Sequence, residues 1–310
     1  MFTIRYLSPK FLALSGALAA FSVQAAEEQH VGDVQPWKMG TTINLNNYVF
    51  EADFGDLGGG LFATDDPGYD VDIAKGPLTV GHWLRFQPVG TLKYWNGSAW
   101  TSSVPNGERI EIKDALDKTI TYTSSGVSGG MGVIGAADKE GGVHEHIDIS
   151  IKDAAGALGG KVGAYLIELN VYESAPNSEA PTASTIAPIK IAFNRGLDHA
   201  VFDLSVAALE NALYDNSGNL EIKDVQVGQQ HFWVRLQWNN DLFELKDYKP
   251  LMKQEHAELV VYDIDKLTLT IPHVKAYGKN YQVTMQNMGD FKFKVIKATE
   301  ITEEKHDHDH

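Results

Sequence analysis

Cysteine is absent from this sequence. That excludes a disulfide framework, a thiolate zinc site, an iron–sulfur cluster and a cysteine nucleophile. Positive charge is scarce: 26 Lys and Arg stand against 41 Asp and Glu, a formal net charge of −15. A chain of that sign offers no footprint for a phosphate backbone, so nucleic acid is excluded as a partner. No phosphate loop or dinucleotide fingerprint is present. GGGLF and SGGMG are glycine-rich turns that lack the Lys-Ser/Thr or helix such loops require. No serine sits in a G-x-S-x-G elbow, and carboxylates are too numerous for one acid/base couple to stand apart. An enzyme is therefore not expected. A copper-dependent redox enzyme would need an open coordination position and a substrate pocket, and neither is legible.

What the chain does have is glycine (29 residues) and 43% apolar residues with only 10% aromatics. That mixture suits short strands and tight turns. Residues 1–25 read as a secretory signal. Arg5 and Lys10 form a positive start, 11–21 an apolar stretch too short to span a bilayer, and Val23-Gln24-Ala25 a small-residue cleavage site. No second apolar run follows, so the mature chain is expected to have no transmembrane segment. The protein is expected to be exported to the periplasm, the cell surface or the medium.

From residue 37 onward, period-2 runs recur between turn signals such as Asn96-Gly97, Asn106-Gly107 and Gly141-Gly142. Strands are expected over 43–52, 78–86, 91–95, 109–113, 119–123, 144–151, 163–172 and 189–193. One helix is expected over 199–214, where Phe202, Val206, Leu209 and Leu213 recur at helical spacing. These elements predict an all-β chain. An antiparallel β-sandwich over 37–214 is closed by one C-terminal helix and followed by a small two-repeat β module over 215–302. The repeat is explicit: LEIKDVQVGQQHFWVRLQ (220–237) matches LTIPHVKAYGKNYQVTMQ (269–286), pairing Leu220 with Leu269, Ile222 with Ile271 and Val225 with Val274. Each copy reads as a β-hairpin that must pack on the other to bury its apolar face. The tail over 303–310, EEKHDHDH, is too polar to pack.

Histidines carry the chemistry. In HEHIDISI (144–151), strand alternation puts His144, His146, Asp148 and Ser150 on one face and the isoleucines on the other. Successive residues on one face lie about 7 Å apart, near enough for two imidazoles to converge on one ion. The alternative is two histidines on a solvated face. His82, in GHWLRF, falls on the face of Val80, Leu84 and Phe86. It reads either as a hydrogen-bonded core histidine or as a third ligand that strand pairing brings beside His144 and His146, with a bulge at Gly81 turning His82 or Trp83 toward the site. His306, His308 and His310 in the tail could capture a divalent ion with low selectivity. Asp53, Asp56, Asp65, Asp66, Asp70 and Asp72 crowd two loops, and oxygen-rich loops of this kind either hold calcium or are simply solvated turns. Tyr94, Trp95, Trp100 and Tyr122 read as packed core aromatics rather than a sugar-stacking face.

The ordered series EADFGDLGGG, GTLKYWNGSAW, VPNGERIEI, GVHEHIDISI, GAYLIELNVY and IAFNRGL resembles a family of secreted bacterial proteins repressed by the zinc-uptake regulator, some of which carry a surface-sorting tail of the PEP-CTERM type. More distantly it resembles the copper-repressible surface copper-binding proteins of methanotrophs, CorA and MopE. The likeness covers about 46–209 and leaves the repeat module and tail outside. It implies a β-sandwich made when metal is scarce, binding zinc or copper outside the cytoplasm. In the CorA and MopE group, copper(I) is held by two histidines near a tryptophan oxidised to kynurenine. By position, His82 or its neighbourhood matches the first histidine, Trp83 the modified tryptophan, and His144 or His146 the second. That group spaces its tryptophan and histidine two apart, whereas His82 and Trp83 are adjacent.

The expected function is an exported protein that scavenges or buffers copper, as copper(I), or zinc through His82, His144 and His146, with Trp83, Asp148 and the tail histidines as further candidates, and with a periplasmic or outer-membrane metal-transport partner. Neutral imidazoles without thiolates suit either ion, and acidification should weaken binding by protonating them. The alternative is a calcium-stabilised structural or adhesive surface module.

Overall fold

The computed structural model describes residues 32–55, 60–215, 217–256, 258–277 and 279–301. The signal segment, Asp56 and the tail histidines His306, His308 and His310 lie outside the described residues.

The first part is a β-sandwich. A nine-stranded sheet is built around Gly163–Ser174, which pairs with Trp83–Trp95, Pro181–Ser184 and Ile189–Arg195. A five-stranded sheet lies against it, with Thr119–Thr123, Arg109–Lys113 and Asp148–Lys152 at its centre. Alternation explains how the two meet. Ile110, Ile112, Ile120, Tyr122, Ile149 and Ile151 point inward and are buried, together with Leu84, Phe86, Ile167, Leu169, Ile191 and Phe193 of the larger sheet, in one core. Tyr122 crosses the core, its hydroxyl donating to the Glu168 carbonyl at 2.9 Å.

The central strand Gly163–Ser174 is buried on both faces, because its other side carries Ala164 and Leu166 under the helix His199–Ala207. Asp198 caps that helix by accepting from Ala200 N, and Phe202 and Val206 seal it to the sheet. Trp95 belongs to this second core and Tyr122 to the first, so both aromatics are packing residues.

Several expected boundaries move. The helix stops at Ala207 instead of 214, because Asn211 and the strand Ala212–Tyr214 are taken up by the next sheet; Leu213 lies on a strand. The expected strands 78–86 and 91–95 form one strand, Trp83–Trp95, bent where Gly90 has φ +71°. Residues before Trp83 form a turn, with His82 N donating to Thr79 O at 2.9 Å and Gly81 at φ +74°. The run 144–151 is interrupted: His144–Glu145 pairs with Tyr69–Asp70, His146 and Ile147 leave the ladder, and Asp148–Lys152 joins the five-stranded sheet. The sandwich is not wholly antiparallel, since Val49–Asp53 runs parallel to Ile189–Arg195.

The second part is a sheet closed on itself. Each repeat copy is a hairpin, Asn219–Val227 with Gln230–Asn239 and Thr268–Ala276 with Lys279–Asn287, extended by Leu242–Leu251 and Lys292–Ile301. The copies meet where Phe243 faces Phe293. On the far side, Ala212–Tyr214 and Val260–Asp263 each pair with both Asn219–Val227 and Thr268–Ala276, closing the ring. The copies match in detail. Bulges fall between Ile222 and Val225 and between Ile271 and Val274. The turns Asn240-Asp241 and Asp290-Phe291 both have positive φ at both residues, the twist that tight hairpins need. The interior is filled by Leu220, Ile222, Leu236, Ile271 and Met285. Among the described residues, no helix is long and apolar enough to cross a membrane.

Candidate metal centre

At one end of the sandwich, buried Val143 and Ile147 anchor the two ends of the His144–His146 segment, and buried Tyr69 anchors the facing chain. Pinned at those points, the three residues between are left outward, and both imidazoles keep about a third of their surface exposed. The pairing His144↔Asp70 and Glu145↔Tyr69 brings the 65–70 turn alongside. The two rings lie 6.0 Å apart at an angle of 62°.

His146 is the centre of the arrangement. Its Nδ1 lies 3.2 Å from the Asp65 carbonyl oxygen and 3.7 Å from Asp66 Oδ1. Its ring lies close against Gly68, where an added Cβ would stand 2.6 Å from Nε2 and 2.9 Å from Asp33 Oδ2. Asp33 in turn fixes that turn by accepting from Gly68 N at 3.0 Å. His144 Nδ1 lies 3.7 Å from Oδ1 of buried Asp70. Asp65, Asp66 and His146 each offer one ligand atom within 4.8 Å of one another, the one such group of three among the described residues. Atoms sharing a tetrahedral zinc ion lie about 3.4 Å apart, so closure requires only small side-chain movement.

The expected ligand set is therefore partly reassembled. His144 and His146 do come together, but strand alternation is not the reason, since the ladder breaks between them and Asp148. Asp148 sits opposite Lys113 in the five-stranded sheet, where its charge faces that ammonium. Asp65 and Asp66, read from the sequence as calcium-type loop residues, turn out to flank an imidazole. The TDDP turn is the signal for them, but nothing local says which histidine they meet.

His82 has a different partner. Its Nδ1 lies 2.8 Å from Oε1 of Glu173, which is fully buried and also accepts from Lys38 Nζ and Thr79 N. Burial alone would raise the Glu173 carboxyl; the bonds from Lys38 and Thr79 outweigh it and hold the group below its ordinary value. Among the described residues, no group of three unites His82 with His144 and His146. Trp83 carries the Arg85 guanidinium over its ring at 4.8 Å. His82→Ala is expected to leave zinc and copper affinity within about twofold of the unaltered chain and to cost about 1 kcal/mol of stability, as one close polar contact of Glu173 is lost while those from Lys38 and Thr79 remain. Calorimetric titration reads the first quantity and a denaturant curve the second.

Compared with known proteins, the chain matches no protein-family model, no curated protein and no solved structure.

Proposed function

We propose that this chain is an exported metal-binding protein that scavenges or buffers a divalent transition metal, zinc or copper, at His146, Asp65 and Asp66, with His144 as the adjoining ligand. The observation that carries the reading is the convergence of one imidazole and two carboxylates within 4.8 Å, beside a second imidazole ring 6.0 Å away. Imidazole with carboxylate and without thiolate suits zinc and copper(II), whereas copper(I) prefers softer donors. By the Irving–Williams order, copper(II) should be the tighter of the two. Ligands about a third exposed, held between buried anchors, suit reversible capture. The resemblance to secreted proteins made under metal scarcity points the same way.

Adjacent aspartates in one turn also suit calcium, which gives the competing reading of a calcium-stabilised structural module. Thermal melting of metal-free protein separates the two. Zinc and copper(II) are expected to raise the melting temperature, by the equivalent of about 2.7 kcal/mol at a hundredfold excess over Kd, with calcium inert. Stabilisation by calcium alone would overturn the transition-metal reading.

A further inference from the structure

A second group of charges is buried around the short connector, 208–211, between the helix and the closed sheet. Glu210 enters the protein with 2% of its surface exposed, and the next residue, Asn211, is fully buried. Asn211 ties the connector to the strand Asn219–Val227 and to the chain just before Val260–Asp263. Its side-chain nitrogen donates to the carbonyls of Asp224 and Glu258, and its side-chain oxygen accepts from Asp224 N. His256 Nε2 donates to the Leu209 carbonyl at 2.8 Å. The seat is completed from the sandwich side by Glu51, whose Oε1 takes Lys275 Nζ at 3.0 Å.

Ionised, Glu210 would be a third carboxylate beside Glu51 and Glu258, and the nearest cations there are already engaged. Lys275 is already bonded to Glu51, and His273 Nδ1 is held by Glu258 Oε1. Glu258 Oε2 is buried without a hydrogen-bond partner, so a carboxylate oxygen already stands unsatisfied there. Lys190 of the sandwich and Lys223 of the closed sheet also face Glu210, and burial lowers both; Lys223 Nζ donates to the Ala208 carbonyl of the connector at 2.8 Å. Tyr48 faces Glu258 from the sandwich side.

We propose that the connector is a proton-operated latch: seated between sandwich and closed sheet while Glu210 carries a proton, and released when Glu210 ionises, which loosens one unit from the other. Burial and the neighbouring Glu258 push the Glu210 carboxyl up to about 7, against the pull of His273 and Lys275. Its folded-state value exceeds its solvated value of 4.5, so seating is fully favoured below the latter and is lost as pH rises through the former. His256 opposes this. Burial lowers its imidazole to about 4, so the proton it takes up on acidification works against seating. The two trends partly cancel in the unaltered chain, and a variant compared at fixed pH separates them.

Hydrogen exchange of the whole protein supplies the test, with each amide of 208–213 corrected for its intrinsic rate, since E210Q and the unaltered chain share His256. At pH 8.5, amides of 208–213 are expected to be at least about tenfold better protected in E210Q. At pH 5 the ratio should shrink to within about fivefold, and amides of 281–285 should be unchanged throughout. Equal protection at pH 8.5, or the same ratio at both pH values, overturns the latch. Should E210Q not fold, E258Q keeps Glu210 and removes its strongest repelling charge. With less repulsion the ionised, seated Glu210 is less unfavourable, so loss of connector protection should need a higher pH in E258Q than in the unaltered chain. Unchanged protection, or loss at a lower pH, overturns the latch.

Discussion

Alanine at both His144 and His146 is expected to lower zinc and copper(II) affinity by at least about a hundredfold, equivalent to about 2.7 kcal/mol. The argument is geometric. His146 is the imidazole that stands among carboxylates, with Asp65 and Asp66 offering atoms within 4.8 Å. Most of the loss should therefore appear in His146→Ala alone. His144 lies one ring-to-ring step away, 6.0 Å, beside Asp70 rather than Asp66, and its single replacement should cost less. Because the two rings flank one opening, the double replacement is not expected to equal the sum of the single effects. Without metal, the doubly altered chain should melt close to the unaltered one, because both rings are substantially exposed and Val143 and Ile147 still anchor the segment. Acidification should weaken capture in the unaltered chain, since protons compete for the imidazoles, and the weakening should shrink in the variant. Calorimetric titration of the metal-free protein gives all of these quantities. Unchanged affinity in the double variant would remove the site.

Phe193→Ala is expected to destabilise the sandwich by about 3–5 kcal/mol. Phe193 is fully buried and stacks on Phe54 with ring centroids 5.3 Å apart. Its strand, Ile189–Arg195, is bonded on both sides, to Gly163–Ser174 and to Val49–Asp53. A strand held by two neighbours cannot move inward to fill the space a ring leaves, so the cavity persists. The midpoint of chemical denaturation should fall with little change in slope. A loss under about 1.5 kcal/mol would mean that this core relaxes far more than its pairing suggests.

Legibility followed the range of the interactions. The strands Arg109–Lys113 and Thr119–Thr123 fall where the alternating isoleucines put them, because a hairpin needs only its own pattern and turn. The repeat was equally plain, since matched bulges and turns require matched residues. What failed was set by distant partners. The helix pattern runs to Leu213, but Asn211 is claimed by Asp224 and Glu258, and the strand that follows is claimed from two sides. Alternation in HEHIDISI ends after Glu145, because the two halves of the segment join different sheets. His82 was legible as either a core histidine or a ligand. The deciding residue, Glu173, is 91 positions away, and no local signal distinguishes it from other glutamates. Asp65 and Asp66 were visible as an acidic turn, but the imidazole they flank comes from a segment 81 positions along the chain.

The closed sheet carries one further consequence. The short opening strand of each repeat copy fills the gap left by the other, Ala212–Tyr214 lying along Thr268–Ala276 and Val260–Asp263 along Asn219–Val227. That exchange is the arrangement of two identical subunits trading arms, here welded into one polypeptide. A half by itself would not be a smaller version of the whole: it would be a wall with a bare flank, whose natural remedy is a twin.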